Sequence, residues 1–282
     1  GIGDPKMLEY NAQTPTSLFE LSVAAWDWMR QLVAQGKLPR HADQFNLLDE
    51  RIITQFAYLR EAKDLESMIL HFACDETSSE DRRTVSYLAQ CAEEVGFETV
   101  IVDINEIRLS VDHKFLDHNS KQIFNLFSLY PYEFMLLDCY GDFIEESGCK
   151  FIEPIWKVLL SSKALLPIMW KLNPGHPNLL ACYFSNEKEA GLIENRVTKP
   201  IYSREGANIQ IKFKEETVEG TVGNYGNEGF ITQEYAPLAQ FKNGWVVIGS
   251  WVIGKTGCGI SFRESDRLIT NDVARFVPHI II

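Results

Sequence analysis

The chain has 282 residues, of which 45% are hydrophobic and 23% are charged, enough for one or two domains with a large core. Its net charge of −12 at pH 7 argues against a protein that binds nucleic acid by neutralising phosphates. We expect a cytoplasmic protein, because the sequence shows no signal peptide, no apolar run long enough to cross a membrane, and six cysteines without a CxxC pair.

The first segment alternates between apolar and polar residues over positions 6–11, which predicts a short strand. Glu9 and Asn11 are two positions apart, so their side chains would share one face of that strand. A carboxylate and an amide oxygen are hard ligands suited to Mg²⁺. The polar end of a strand explains the same pair equally well.

A βαβ unit is predicted to follow two amphipathic helices. The predicted elements up to position 102 are a helix from Thr16 or Ser17 to about Gln35, a helix over 45–60, a strand over 67–74, a helix capped by Ser79 and a strand over 98–102. Because the first of these strands is continuously apolar, we expect it to be buried in a parallel sheet.

A turn rich in acidic residues, positions 75–81, comes directly after the first predicted parallel strand. Open α/β sheets bind their ligands at the carboxyl ends of such strands. We call this segment the acidic turn. Its carboxylates could hold a polyamine or a metal, although solvated acids that complement a helix dipole are the simpler interpretation.

Two lysines suggest an anion site. Lys163 is predicted in the first turn of a helix over 163–172, where backbone N–H groups converge and a cation is unusual. Lys199 lies near the end of a predicted strand, before a turn that carries Gly206 and before a second strand over 208–213. Glycine in a turn lets backbone N–H groups approach a phosphate closely, and lysine supplies a compact charge. An ordinary turn also explains this segment.

The last third is rich in predicted strands. Gln233, Glu234 and Tyr235 follow an apolar strand end, from which a nucleotide-binding hinge would offer backbone groups to adenine and Glu234 would hold the ribose. A simple strand exit is the alternative. Arg263 lies on the last alternating strand, where arginines are usually solvated or paired.

Six segments in one order resemble the synthetase module of glutathionylspermidine synthase. They are positions 8–18, 151–156, 162–170, 197–209, 231–235 and 259–264. The resemblance covers nearly the whole chain and is strongest to short bacterial homologues that lack the amidase and are described as acid–amine ligases. It implies an α+β or α/β fold, namely a permuted ATP-grasp with a βαβ pre-ATP-grasp-like portion and a small lid. The implied domains are 1–155 for the α/β portion, 156–205 for the lid and 206–282 for the β-rich core.

The resemblance also implies roles for individual residues. Mg²⁺ would be held by Glu9 and Asn11, and ATP by Lys163, Lys199, Gly206, Gln233, Glu234 and Tyr235. Arg263 would be catalytic, and the substrates would be bound by Thr14, Thr16, Glu80 and Asp81. A preceding family segment that carries an arginine and a metal-binding aspartate is not in this sequence, so we expect an N-terminally truncated form.

The implied reaction joins a carboxylic acid to an amine at the expense of ATP, through an acyl phosphate. The expected partners are a glutathione-like peptide and a polyamine-like amine, with neither nucleic acid nor membrane. Two alternatives remain open: an ATP-dependent phosphotransferase that uses the same nucleotide site, and a non-catalytic module that binds nucleotide or polyamine.

Overall fold

The computed structural model describes residues 3–63 and 65–282 and divides the chain into two compact units. Unit 1 consists of the described part of Gly1–Ala12 together with Val158–Gly249 and Phe262–Val277. Unit 2 consists of Gln13–Lys157, apart from position 64, together with Ser250–Ser261 and Pro278–Ile282. Among the described residues, no helix combines the length and the apolar composition that crossing a membrane requires.

The strands in the described residues are β1 Ile69–Cys74, β2 Glu98–Asp103, β3 Arg108–Leu109, β4 Phe115–Leu116, β5 Asn125–Ser128, β6 Lys150–Ile152, β7 Cys182–Phe184, β8 Asn195–Pro200, β9 Gln210–Phe213, β10 Glu216–Gly220, β11 Phe230–Glu234, β12 Ala239–Phe241, β13 Gly244–Ile253, β14 Thr256–Ser265 and β15 Arg275–Val277. The α-helices are α1 Trp26–Ala34, α2 Leu48–Glu61, α3 Ser79–Glu94, α4 Tyr132–Met135, α5 Ile144–Ser147, α6 Val158–Ser161 and α7 Leu165–Leu172. A π-helical stretch, Glu20–Ala25, precedes α1, and short 3₁₀ helices span Ile104–Glu106, Gly141–Phe143, Ile155–Lys157 and Lys188–Leu192.

Unit 2 is built on a parallel sheet with the strand order β2-β1-β5-β6. The predicted βαβ unit is confirmed, because β1 and β2 are parallel neighbours that α3 connects. Leu70, Phe72, Ala73 and Cys74 of β1 are fully buried, as the continuous apolar run predicts for a strand covered on both faces. The helix cap is one residue earlier than predicted, since the hydroxyl of Ser78 accepts a hydrogen bond from the backbone N–H of Asp81.

The first helix ends where predicted, with Gly36 in the left-handed region at φ 70°. Its start differs from the prediction. Ser17 has a φ of 67°, which is not the extended conformation of an N-cap residue, and the chain then passes through the π-helical stretch before α1.

The predicted strand over positions 6–11 is wrong. This segment of unit 1 has no regular secondary structure. Its backbone groups are used one at a time: Met7 donates its N–H to the carbonyl of Asn178, while the Met7 and Leu8 carbonyls accept hydrogen bonds from side chains of β11 and β8. These contacts replace the backbone ladder that would define a strand.

Unit 1 contains an antiparallel sheet with the order β10-β9-β8-β11-β7. The predicted arrangement of strand, glycine turn and strand is confirmed, since β8 and β9 are antiparallel neighbours with Val197 opposite Ile211. The predicted helix start at Lys163 is wrong by two residues, because α7 begins at Leu165 and Lys163 lies in the turn before it. That turn is fixed by the backbone N–H of Lys163, which donates to the carbonyl of Ile201.

A second antiparallel sheet has the order β12-β13-β14-β15 and places Arg263 opposite Phe276. The mixed α/β class is therefore confirmed by the parallel and antiparallel sheets together. The ATP-grasp permutation, the N-terminal truncation and the bounds of the three predicted domains stay predictions.

Candidate functional site

Lys199 on β8 is held on the same face of the sheet as Gln233 on β11. Ile231 lies directly opposite Lys199 in the antiparallel register, and Gln233 is two positions further along, so both side chains project from one face. The Lys199 ammonium is buried, at 7% exposure, and donates to the Gln233 Oε1 atom and to the Leu8 carbonyl at 2.9 Å each.

Lys163 reaches the same N-terminal segment from the turn before α7. Its ammonium, also 7% exposed, donates to the carbonyl of Ser203 at 2.8 Å and lies 3.3 Å from the Oε2 atom of Glu9. Thus Leu8 contacts one lysine and Glu9 contacts the other. We refer to Lys163, Lys199 and Glu9 together as the lysine site.

The lysine site carries an excess of buried positive charge. Burial lowers the pKa of Lys199 to about 8, a shift that the Glu9 charge opposes and the Lys163 charge reinforces. Burial raises the pKa of Glu9, but the charges of Lys163 and Lys199 outweigh that effect and bring the pKa below its usual value. Two buried ammonium groups therefore face one carboxylate that is half-exposed, and an anion would balance the remaining charge.

The turn between β8 and β9 needs glycine for a reason other than the one predicted. Gly206 has a φ of 72°, and a Cβ atom at this position would lie 2.6 Å from the backbone oxygen of Thr270. The close approach that glycine permits is therefore to the 270 backbone. Thr221 secures the turn, because its hydroxyl donates to the Gly206 carbonyl and accepts from the N–H of Ile209.

A cleft of about 460 Å³ in unit 1 opens beside this turn. Its lining includes Arg204, Gly206, Thr221, Tyr225, Arg267 and Asp272. The volume falls within the range of small-molecule sites, which runs from roughly 300 to 1,000 Å³. The sequence interpretation missed all of these residues except Gly206, and only the arginine and glycine of the turn sequence offered a signal.

Two hydroxyl groups in this region have no hydrogen-bond partner among the described residues, although both are buried: Oγ of Ser203 and Oγ1 of Thr270. Ser203 supplies the carbonyl that accepts from Lys163, and Thr270 supplies the backbone oxygen that approaches Gly206. Buried hydroxyl groups normally have a partner. Hydroxyl and ammonium groups are both donors of the kind that bind the oxygen atoms of a phosphorylated ligand.

The three predicted hinge residues differ in their surroundings. Gln233 is buried with its side chain toward Lys199. The backbone N–H groups of Glu234 and Tyr235 donate to the carbonyls of Ala181 and Asn195 at 2.7 Å and 2.9 Å. The Glu234 side chain is exposed, and the Tyr235 ring packs edge-on against Phe213.

Arg263 shapes a wall of the cleft. Its Nη2 atom donates to the carbonyls of Asn271, Asp272 and Ala274 at 3.1–3.3 Å. Asn271 and Asp272 themselves line the cleft. The Nε atom of Arg263 is buried and has no partner within the part of the chain that the structure describes.

The predicted metal ligands offer one carboxylate and one amide. Both Glu9 and Asn11 are exposed, and Glu9 is 3.3 Å from Lys163. Across residues 3–63 and 65–282, no three histidine, cysteine or acidic side chains come together as a metal site. A carboxylate and an amide are protein oxygens of the kind that Mg²⁺ takes, one or two at a time, with the remaining ligands from phosphate and water.

The predicted substrate residues lie in unit 2. Thr14 is buried and Thr16 is exposed, and the N–H of Thr16 donates to the Thr14 carbonyl at 2.9 Å. Glu80 and Asp81 occupy the first turn of α3, where acidic side chains complement the helix dipole. The structure therefore groups Glu9, Asn11, Lys163, Lys199, Gly206, Gln233, Glu234, Tyr235 and Arg263 in unit 1, and Thr14, Thr16, Glu80 and Asp81 in unit 2.

Comparison with known proteins gives one consistent result. Residues 1–282 match the family described as "Glutathionylspermidine synthase preATP-grasp". A Haemophilus influenzae protein named "Putative acid--amine ligase" is 36% identical over 98% of this chain and 71% of its own length. The trypanothione synthetase of Crithidia fasciculata is 25% identical over 94% of this chain.

The chain spans only 43% of that trypanothione synthetase. Among solved structures, a glutathione synthetase-like effector from Globodera pallida, in its apo form, aligns with 98% of this chain and 60% of its own, at a TM-score of 0.49 and 9% identity. The family match over the whole sequence and the identity to the Haemophilus protein decide the assignment. The chain belongs to the glutathionylspermidine synthase family, whose named relatives are ligases and synthetases.

Proposed function

We propose that this protein is an ATP-dependent ligase that joins a carboxylic acid to an amine through an acyl phosphate. The observation that carries the proposal is the lysine site, in which two buried ammonium groups face a single half-exposed carboxylate. A buried cationic pair of this kind is costly unless an anion completes it. Membership of a family with ligases among its relatives supports ATP as the source of that anion.

Lys163 and Lys199 would bind the phosphate oxygens and offset their charge. Each ammonium carries three donors and makes two contacts among the described residues, which leaves one donor for a ligand. ATP, when bound, supplies the phosphoryl group that activates the carboxylic acid. In phosphoryl transfer a protein mainly positions the reactants and stabilises charge. The contacts of Lys163 and Lys199 with the phosphates would therefore be most of their contribution to the reaction.

Glu9 and Asn11 would hold Mg²⁺ beside the phosphates, and the 205–207 turn would line the nucleotide cleft through Gly206. The Ser203 and Thr270 hydroxyls, which lack partners among the described residues, would find them in the bound ligand. In this proposal Arg263 supports the cleft through the 271–274 loop and stabilises the transferring group, while Gln233, Glu234 and Tyr235 border the nucleotide.

The acid and the amine would be a glutathione-like peptide and a polyamine-like molecule, held by residues of unit 2. Thr14 and Thr16 would bind the peptide, and Glu80 and Asp81 would attract the cationic amine. This part of the proposal follows the names of the relatives, among them a bifunctional glutathionylspermidine synthetase/amidase of Escherichia coli that is 28% identical over 46% of this chain.

The test is phosphate release from ATP with Mg²⁺, measured across a matrix of thiol peptides and polyamines. We expect release that requires one acid and one amine together, and that Lys199→Met reduces by about 10²–10³-fold. Lys171→Met is the matched control, because this exposed lysine of α7 pairs with Glu187 and is not part of the lysine site. Release that needs only one acceptor would indicate a phosphotransferase, and ATP binding without release in any combination would indicate a binding module.

A further inference from the structure

Gln233 occupies an unusual place for a polar side chain, because only 2% of it is exposed. Its Oε1 atom accepts from the Lys199 ammonium at 2.9 Å, and its Nε2 atom donates to the Met7 carbonyl at 3.1 Å. A lysine ammonium can only donate and a carbonyl can only accept, so the orientation of the amide is fixed by its partners. One carboxamide thus links β8, β11 and the N-terminal segment of unit 1.

The direction of the Lys199 ammonium depends on that link. The side chain has four rotatable carbon–carbon bonds and would otherwise sample many rotamers. Gln233 and the Leu8 carbonyl take one donor each, and these two bonds determine where the third N–H points. Without Gln233, the ammonium would retain only Leu8 among the acceptors described here.

The same carboxamide anchors the segment that carries Glu9. Residues 6–11 have no strand ladder to hold them, and the segment is attached by individual contacts, which include those of Lys6, Met7, Leu8 and Glu9. Glu9 comes directly after Leu8 and lies 3.3 Å from Lys163. A change at Gln233 would therefore reach both lysines, Lys199 by contact and Lys163 through Glu9.

We propose that Gln233 is a positioning residue that ties Lys199 to the Met7–Glu9 segment and thereby sets the geometry of the phosphate site. The inference rests on the proposed function, because it takes Lys199 as a ligand of nucleotide phosphates. A neutral amide suits this role better than a carboxylate would. Glutamate would offset the positive charge that attracts the phosphate, and it could not donate to the Met7 carbonyl.

The test measures the affinity for MgADP by calorimetry in four proteins: wild type, Gln233→Met, Lys199→Met and the double variant. Methionine matches glutamine in length but makes neither hydrogen bond. We expect Gln233→Met to weaken binding by about tenfold or more, since small displacements of a binding group carry large penalties. In the Lys199→Met background the second substitution should have a smaller effect than in wild type, because only the route through the Met7–Glu9 segment remains.

Thr232→Val provides the matched control. Thr232 is the buried neighbour of Gln233 on β11, points to the opposite face, and shares a 2.9 Å hydrogen bond with Ser185. This change removes a buried hydrogen bond from the same strand. It should lower the free energy of unfolding, measured in urea, without changing the affinity for MgADP.

Wild-type affinity in Gln233→Met, or an equal loss in both backgrounds, would overturn the positioning role and leave the proposed function intact. Failure of the wild-type protein to bind MgADP would overturn the proposed function and the positioning role with it. Should Gln233→Met not fold, Gln233→Asn replaces it, since asparagine keeps a neutral amide but is one methylene too short to reach both Lys199 and the Met7 carbonyl. Weaker MgADP binding in that variant supports the role, and unchanged binding overturns it.

Discussion

The lysine site of unit 1 and the acidic turn of unit 2 are both clusters of charge, but their environments differ. In the lysine site, Lys163 and Lys199 are buried and their charge is only partly offset by Glu9. Burial is strong enough to lower the pKa of Lys199 to about 8. Without an anion such a site is energetically unfavourable, because desolvated charges need compensation.

In the acidic turn, Glu76 and Glu80 are exposed and Asp75 and Asp81 are partly exposed. Asp75 accepts hydrogen bonds from the N–H and the hydroxyl of Thr77, and these bonds lower its pKa. Glu76 pairs with Arg82 in solvent. Here the local structure already provides partners for Asp75 and Glu76. The two regions therefore differ in the burial of their charges, and the proposed ligand site rests on buried charge that the protein only partly compensates.

The largest effect should follow removal of a buried lysine. We expect Lys163→Met or Lys199→Met to reduce ligase turnover by about 10²–10³-fold, the usual consequence of losing one donor to a developing charge. The free energy of unfolding in urea should fall little or even rise, because methionine removes the desolvation cost of a buried ammonium. A variant that loses turnover only because it unfolds would contradict this account.

Glu9→Gln should change nucleotide binding in opposite directions with and without magnesium. With Mg²⁺ present, loss of the carboxylate ligand should weaken binding by about tenfold or more, on the scale of changes around bound metals. With chelator present, binding should tighten, because Lys163 no longer faces a carboxylate. Calorimetry under both conditions gives the two affinities.

Glu187→Gln is the control for that experiment, since this carboxylate pairs with Lys171 outside the lysine site. It should leave both affinities unchanged. A Glu9→Gln variant that weakens binding equally in Mg²⁺ and in chelator would show that Glu9 does not act through the metal.

The pH dependence of nucleotide affinity should identify Lys199. Only the ammonium form attracts phosphate, so affinity should fall as the pH rises through about 8, where free Lys199 loses its proton. The slope should approach about tenfold per pH unit, and binding should take up a proton because the bound anion raises the pKa of Lys199. Calorimetry in buffers of different ionisation enthalpy measures that uptake, and Lys199→Met should abolish it.

The free energy of unfolding of the ligand-free protein should also depend on the titration of Lys199. It should change with pH in the direction opposite to the nucleotide affinity. The folded-state pKa of Lys199 is about 8, against an ordinary value of 10.5, so between these values the unfolded chain binds more protons. The contribution of Lys199 to stability should therefore rise with pH across this interval. Urea unfolding of wild type and Lys199→Met across the same interval isolates this contribution, and parallel curves would argue against it.

The smallest effect should come from the acidic turn. Ser78→Ala removes the cap of α3 and should lower the free energy of unfolding by about 1 kcal/mol. Ser78 is not part of the lysine site, so MgADP affinity should stay at its wild-type value. A change in that affinity would show that the acidic turn contributes to nucleotide binding.

Sequence periodicity was sufficient for the elements that depend on local patterns. The buried strand β1 and the glycine turn between β8 and β9 are predictable, because residues that are neighbours in the sequence determine strand burial and turn conformation. The strand predicted over 6–11 is wrong because carbonyl groups of this segment accept hydrogen bonds from side chains of β8 and β11, which are far away in the sequence. Alternation over six residues carries no information about such distant partners.

The candidate site divides in the same way. Lys163 and Lys199 could be singled out from their local positions, but their contacts with the segment of Leu8 and Glu9 became visible only in the structure. The backbone of Thr270 explains Gly206, although the sequence suggested a phosphate. These features follow from long-range packing, which a single sequence does not display.

The most direct test of the central claim is a crystal structure with Mg²⁺ and a non-hydrolysable ATP analogue. The account predicts phosphate oxygens within hydrogen-bonding distance, about 2.7–3.2 Å, of the Nζ atoms of both Lys163 and Lys199. A nucleotide whose phosphates lie elsewhere, with both ammonium groups still confined to their protein partners, would contradict it.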